Sequence, residues 1–339
     1  MDTPATRKSL ISIVGPVFNE AELIDEFFRR TQAVMDSLPA RDFELIFVDD
    51  GSTDGSYERM AAIAAADPRA SVVRLSRNFG HQIAITAGVD HARGDAVVII
   101  DTDLQDPPEV IERFVQKWDD GCEVVYGVRE RRAGETRGKQ LTAKSFYRVL
   151  RALTKIDIPA DVGDFRLMSA RAVAHFRRLR ERDRFVRGLV SWIGFRQEAV
   201  LYARDPRYAG DTKYPYRKMI RFAMDGITSF SSVPLKFASW LGYVTSLLAF
   251  IYLASVFVQK ALGFTVPGFA TIMVAMLFLG GVQLISLGII GEYIGRIYNE
   301  TKARPLYIVE GLHGALTAAG TSPDDTTADP PGARRETPI

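Results

Sequence analysis

The residues best placed to do chemistry lie in one short stretch, Asp101-Thr102-Asp103-Leu104-Gln105-Asp106-Pro107-Pro108. An apolar run at residues 96–100 reads as a buried parallel strand that breaks into carboxylates and two prolines. With an extended backbone, Asp101, Asp103 and Gln105 project to one face, because side chains alternate along a strand. Three oxygen-bearing groups then converge at a strand's C-terminal end, where open α/β sheets bind ligands. Hard oxygen ligands suit Mg²⁺ or Mn²⁺, and such ions bridge one or two carboxylates to a substrate's phosphates. Taken alone, the same residues could decorate a surface turn, with Pro107-Pro108 opening a helix.

Two further strand ends carry polar groups: Gly15-Pro16-Val17-Phe18-Asn19-Glu20, and Asp49-Asp50-Gly51-Ser52. Carboxylates there could accept hydrogen bonds from a nucleobase N–H and from ribose hydroxyls. Singly, Asn19 or Ser52 reads as a helix cap. Acids delivered to one rim by several strands are hard to explain by capping alone. His81 follows Phe79-Gly80 at an expected helix start and reads as a cap or donor-loop residue rather than a metal ligand. No Cys/His cluster, phosphate-binding Walker loop or Ser-His-Asp set is evident.

The elements that must position these groups alternate in type. Residues 10–17, 43–48, 71–75, 96–100 and 123–127 read as strands. Residues 20–37, the stretch after Gly55, 82–92 and 108–120 read as helices. Such repetition predicts an α/β domain, a Rossmann-like, mostly parallel sheet covered on both faces. A basic helix is expected over 136–155, loop and strand over 157–168, and a mobile segment over 204–216.

The chain has 339 residues, enough for one large domain and more. A formal charge of +2 does not point to nucleic acid as a partner. The single cysteine, Cys122, excludes an intramolecular disulfide and fits a reducing compartment. The polar start of the chain lacks a signal-peptide core, so the first domain is expected in the cytoplasm. Residues 237–259 carry no charge, and as a helix they would reach about 35 Å, enough for a hydrocarbon core of about 30 Å. A second span is expected over 269–290, after a turn at Pro267-Gly268. Arg217, Lys218, Arg221 and Lys236 precede the pair, Arg296, Lys302 and Arg304 follow it, and Lys260 alone lies between. The positive-inside rule then puts both termini in the cytoplasm of a two-span protein of the cell (inner) membrane. The organisation expected is a catalytic domain at 1–214, an interfacial amphipathic helix at 215–235, a transmembrane hairpin at 236–291, a cytoplasmic segment at 292–313 and a disordered tail at 314–339.

The order of motifs resembles the family 2 glycosyltransferases, with their nucleotide-sugar-binding GT-A fold. Arg77-Asn78-Phe79-Gly80-His81-Gln82, Asp161-Val162-Gly163-Asp164-Phe165-Arg166-Leu167 and Gly291-Glu292-Tyr293-Ile294-Gly295-Arg296 resemble a narrower group. These are the polyprenyl-phosphate glycosyltransferases, related to dolichol-phosphate mannose synthase and bactoprenol glucosyltransferase. The Gln-x-x-Arg-Trp motif of processive polysaccharide synthases is absent. The resemblance implies inverting transfer of a monosaccharide from a nucleoside-diphosphate sugar, UDP-glucose favoured, to polyprenyl phosphate on the cytoplasmic leaflet. It implies a membrane-lipid setting and a homo-oligomer. By family pattern Pro16, Asn19, Glu20, Asp49, Asp50 and Asp101 face the donor, and Asp101, Asp103 and Gln105 face the metal and diphosphate. Asp164 holds the place of a candidate base, with Asp161 as the alternative; either could instead partner Arg166. Arg129, Arg137, Lys139, Arg204, Arg207 and Lys213 are the candidate cations for the acceptor's phosphate, or serve general attraction to a membrane surface.

Rivals within the class are other donors (GDP-mannose, UDP-galactose, a UDP-N-acetylhexosamine) or another lipid acceptor. A rival of a different class is an inactive membrane scaffold or flippase partner, which the intact Asp101, Asp103 and Gln105 set disfavours.

Overall fold

A computed structural model describes residues 8–130, 162–204, 231–263 and 268–318. Those residues divide between two units: one holds the sheet, and the other holds two long helices.

The sheet unit begins with β1 (Leu10–Val17), α1 (Ile24–Ser37), β2 (Asp42–Asp49), α2 (Ser56–Ala66), β3 (Ala70–Leu75), α3 (His81–His91) and β4 (Ala96–Ile99). It continues with α4 (Val110–Asp119), β5 (Val124–Arg129), β6 (Val162–Ser169), α5 (Ala170–Arg178), α6 (Val186–Ile193) and β7 (Gln197–Tyr202). The strand order is β7-β5-β6-β4-β1-β2-β3, closed on the far edge by β8 (Val309–Gly314). β1, β2, β3 and β4 run parallel, as does β7 beside β5, whereas β6 runs antiparallel between β4 and β5, and β8 antiparallel to β3. Strand β4 reads Ala-Val-Val-Ile and is buried on both faces, the signature of a central strand covered by helices on each side. Helix α3 packs closely because Gly88 has no side chain. A Cβ there would come within 2.2 Å of Val14 Cγ1 and 2.9 Å of Val48 Cγ2.

Several expectations need correction. Helix α1 starts at Ile24 rather than residue 20, since Asn19 takes a left-handed φ of 55° and Leu23 N–H closes a turn on Glu20 O. Strand β8 comes from residues expected to lie apart from the sheet; its short, polar Val-Glu-Gly-Leu-His-Gly carries little apolar signal. Residues 314–318 were expected to begin a disordered tail, yet they end β8 and form a helical turn. Leu316 supplies the anchor, at 3% exposure. The expected basic helix at 136–155, the mobile segment at 204–216 beyond Arg204, and the interfacial helix up to residue 230 lie outside the described residues, as do residues 319–339.

In the second unit, α7 (Val233–Ala261) and α8 (Phe269–Thr301) pack on each other. Each is long and apolar enough to span a bilayer, with mean hydropathies of 2.0 and 2.2. Their side chains face outward, with Leu247, Phe250 and Leu277 at least 60% exposed, which no water-soluble core helix does. Helix α8 continues eleven residues past the expected end of the span at residue 290, because nothing breaks it until Ala303 turns to φ 46° before Pro305. Glu292 and Arg296 pair along it at 3.1 Å.

Candidate active site

The register of the sheet gathers the site on one rim. Val17 pairs with Asp49, and Ile99 lies between Val14 on β1 and Arg166 on β6. Continuing the antiparallel β4–β6 register by two residues brings Asp101 opposite Asp164. Strand β6 therefore delivers Asp164 from its N-terminal end to the rim where β1, β2 and β4 end. The Nε2 of His81, the first residue of α3, stands 3.4 Å from Asp101 Oδ1 and 3.4 Å from Asp164 Oδ2. Arg187 of α6 reaches Asp164 with Nε at 2.9 Å and Nη2 at 3.2 Å, and Gln82 Nε2 donates to it at 3.2 Å. Gln82 Oε1 accepts from Val186 N–H at 2.9 Å, tying α3 to the start of α6.

The two carboxylates are driven apart in acidity. Burial pushes the Asp101 carboxyl up to about 6; His81 opposes this, and the charges of Asp164, Asp106 and Asp103 add to it. Burial would also raise Asp164, but the charge of Arg187, the contacts of His81 and Arg187, and the charge of Arg166 outweigh it. Asp164 is held well below the usual carboxylate range. Partial burial would lower His81, yet Asp164 and Asp101 raise it above its ordinary value.

The stretch after β4 is a turn, not the extended segment expected. Leu104, 4% exposed, sits at φ 58°, a strained conformation for a branched residue and one concentrated at functional sites. Asp103 Oδ1 accepts from Gln105 N–H at 3.0 Å, and Thr102 Oγ1 donates to Pro16 O at 3.0 Å. Turn geometry, not strand alternation, thus arranges Asp101, Asp103 and the nearly buried Gln105. Among the described residues Asp101 Oδ1 is buried and accepts no hydrogen bond, its ionic contact being His81 Nε2 at 3.4 Å, and it is a hard oxygen of the kind a divalent cation takes. Among the described residues no three His, Cys, Asp or Glu side chains gather as a metal cage. The carboxylates of Asp101 and Asp103 are hard oxygen donors of the kind that Mg²⁺ or Mn²⁺ takes.

At the ends of β1 and β2, Asp49 is fully buried, and its Oδ1 accepts from Ser52 N–H at 2.9 Å. Asp50 accepts from Phe79 N–H at 2.7 Å and Gly80 N–H at 3.0 Å, fixing the loop that leads to His81. Burial raises both carboxyls. Asn19 Oδ1 accepts from Thr53 N–H at 2.8 Å, while its own N–H and that of Glu20 donate to Ser52 and Ser56. These contacts join the ends of β1 and β2 into one wall.

Of the candidate phosphate cations, Arg129 and Arg204 converge on Asp106. Arg129 Nη2 lies 3.3 Å and Arg204 Nε 3.7 Å from this wholly buried carboxylate, which also accepts from Tyr202 Oη at 2.6 Å. Gly163 leaves room for the guanidinium, since a Cβ would sit 2.8 Å from Arg129 Nη2. Asp161, Arg137, Lys139, Arg207 and Lys213 lie outside the described residues. Sequence reasoning did not single out Asp106, Arg187 or Tyr202, and Gln82 entered only as the last residue of the motif 77–82. Of the first three, only Asp106 carried a local signal, as the third acid of its stretch.

A family profile described as Glycosyl transferase family 2 matches residues 12–177, and one described as GtrB C-terminal hairpin matches residues 233–297. The chain is 52% identical over 304 residues to the uncharacterized glycosyltransferase YkcC of Bacillus subtilis (strain 168), covering 89% of this chain and 94% of that one. It is 42% identical over 301 residues to the prophage bactoprenol glucosyl transferase homolog of Escherichia coli (strain K12), and equally to the bactoprenol glucosyl transferase of Shigella phage SfX. Each match covers 88% of this chain and 98% of the relative. Among solved structures, glucosyl-3-phosphoglycerate synthase from Mycobacterium tuberculosis aligns with TM-score 0.44 and 22% identity, over 65% of this chain and 78% of that one.

Proposed function

The chain belongs to glycosyltransferase family 2, and we propose that it transfers a monosaccharide, with inversion, from a nucleoside-diphosphate sugar to polyprenyl phosphate. UDP-glucose is the favoured donor, and the cytoplasmic leaflet of the cell membrane the site of reaction. The observation that carries this reading is the match to proteins named bactoprenol glucosyl transferase over nearly their whole length, sheet domain and apolar hairpin together. The charge asymmetry around the two helices supports cytoplasmic termini.

In this reading Asp49, with Asp50, Pro16, Asn19 and Glu20 around it, holds the nucleoside. Asp101, Asp103 and Gln105 would hold Mg²⁺ or Mn²⁺. The ion, when bound, stabilises the charge gathering on the departing diphosphate as a Lewis acid. An acceptor phosphate oxygen forms its bond to the anomeric carbon as the bond from that carbon to the diphosphate oxygen breaks, and the nucleoside diphosphate leaves. The acceptor, a phosphate monoester with a second pKa of about 6, is already ionised and needs placement more than deprotonation. Arg129 and Arg204 offer guanidinium forks for that placement. Asp164, paired with Arg187 and held well below the usual carboxylate range, is a poor proton acceptor, which supports an orienting role.

Membranes containing the protein, incubated with labelled UDP-glucose, UDP-galactose, UDP-N-acetylhexosamines and GDP-mannose plus polyprenyl phosphate, test the assignment. A lipid-phosphate glucose product supports it. Label from another sugar alone reassigns the donor, and no product with any donor makes the protein a scaffold.

A further inference from the structure

Strand β8 returns to the sheet from beyond the two apolar helices, and its side chains meet the wall that Asp49 helps to build. The β3–β8 ladder pairs Arg74 with Gly311 and Leu75 with Val309, so Glu310 is the extra residue of a bulge. Bulges re-aim side chains, and here Glu310 Oε2 comes to 3.1 Å from Arg74 Nε. The same Nε lies 3.6 Å from Asp49 Oδ2. The Arg74 guanidinium rests over the Tyr57 ring at 4.1 Å, and Tyr57 Oη is 2.6 Å from His313 Nε2, also on β8. Arg74 is therefore held from three sides, by β2 through Asp49, by α2 through Tyr57 and by β8 through Glu310. Two of those holds depend on β8, one of them directly and one through His313.

The arrangement is incomplete at one point. Asp49 Oδ2 is buried without a hydrogen-bond partner among the described residues, and Arg74 Nε meets it and Glu310 as ion-pair contacts rather than as hydrogen bonds. A buried acceptor left open in this way is costly unless a further group meets it. Resting on the reading that Asp49 faces the donor's nucleoside, we propose that Arg74 is a positioning residue of the nucleoside subsite. Strand β8 sets it there through Glu310 and through the His313–Tyr57 pair. The segment that follows the second apolar helix is then part of the donor site and tunes its affinity.

The test uses the full-length protein with UDP and GDP as binding probes in the presence of Mn²⁺, together with steady-state kinetics on nucleotide sugar and polyprenyl phosphate. Glu310→Gln keeps the shape of a half-exposed side chain and removes its charge. It is expected to weaken nucleotide binding and raise the donor KM about three- to fivefold, the size of a partly exposed ion pair. The acceptor KM, kcat and the thermal midpoint stay at wild-type values. His313→Phe, which keeps the ring and removes the contact to Tyr57 Oη, shifts the donor KM in the same direction. Arg74→Met weakens binding further, and in that background Glu310→Gln has no added effect, because the two residues act as one unit. An unchanged donor KM, equal changes in donor and acceptor KM, additive variants, or losses that follow the thermal midpoint each overturn the proposal. Asp49→Asn separates the two levels. If it abolishes nucleotide binding while Glu310→Gln leaves binding intact, only this proposal falls. If nucleotide still binds to Asp49→Asn, the nucleoside reading falls and this proposal with it.

Discussion

Arg187 meets Asp164 with two nitrogens on two oxygens, Nε to Oδ1 at 2.9 Å and Nη2 to Oδ2 at 3.2 Å. A paired fork of this kind fixes direction as well as charge. Because the pair joins β6 to α6 beside Asp101, its main contribution is to the shape of the rim.

Asp164→Asn preserves that outline and removes the charge. Transfer should persist with kcat reduced about ten- to a hundredfold, as expected for misplacement rather than loss of a chemical step. The pH profile of the wild type should be shallow between about pH 6 and 8. A carboxyl whose folded value is lowered gives stability that is in place above the usual carboxylate range and lost only as pH falls toward the lower folded value. No such loss enters the measured window. A dead asparagine variant, with wild-type activity falling along a carboxylate titration, would make Asp164 a base.

Asp101 predicts the opposite pH behaviour for the metal-free protein. Its folded value is raised to about 6, so its contribution to stability is fully present below the unfolded value and is lost as pH rises toward 6. Binding of a divalent ion reverses that loss by pairing with the ionised form. The rise in thermal midpoint on adding Mn²⁺ should therefore be small near pH 5 and larger near pH 7.5. Asp103→Ala should abolish transfer and shrink the rise while leaving the fold intact, and EDTA should silence the wild type. Full transfer in rigorously metal-free buffer would refute a metal-dependent reaction.

Arg129 and Arg204 should matter to the acceptor alone. Arg129→Ala is expected to raise the KM for polyprenyl phosphate about tenfold or more, in line with a charge-assisted contact of 1.5–3 kcal/mol, with nucleotide affinity unchanged. Gly163→Ala tests the same point without touching a charge, since its methyl would displace the guanidinium. Equal losses on the nucleotide side would move these arginines to the donor.

A chain ending at residue 216 keeps every parallel pair of the sheet, and from the sequence alone it would be expected to bind nucleotide normally. It lacks β8, however, so the β3 edge is left open. We expect reduced nucleotide affinity and a tendency to self-associate, read by titration and by light scattering. Rejoining residues 305–318 through a flexible linker should restore both. A truncated chain with wild-type affinity would show β8 to be dispensable.

What could be read in the sequence follows from what is local. Residues 10–17 and 96–99 announce themselves as strands through apolar, β-branched runs, and the acids after them stand at the rim because chain direction fixes which end they occupy. Strand direction itself is not local. Val162–Ser169 looks like any buried strand, and nothing in it says that it runs antiparallel between β4 and β5, although this is what puts Asp164 opposite Asp101. Arg187 was invisible for the same reason, as it meets Asp164 at a place made by the long-range bond from Val186 N–H, at the start of α6, to Gln82 of α3. Asp101, Asp103 and Gln105 were found through a geometry that is absent. Their types were informative, but the left-handed Leu104 turn that arranges them leaves no periodic trace. Residues 309–314 alternate too weakly, and are too short, to be told from a loop.

The partnership of Ser71 with Gly314 ties the order of synthesis to the order of assembly. The ribosome releases β1 to β7 first, then both apolar helices, and only afterwards the residues that seal the β3 edge. Until the last of these emerge, the nascent sheet carries an open flank, the state in which large proteins are most exposed to aggregation. A chain stalled at the hairpin would present an unfinished edge for chaperones or proteases to recognise. In this order of synthesis the β3 edge can be sealed only after the apolar helices have been made.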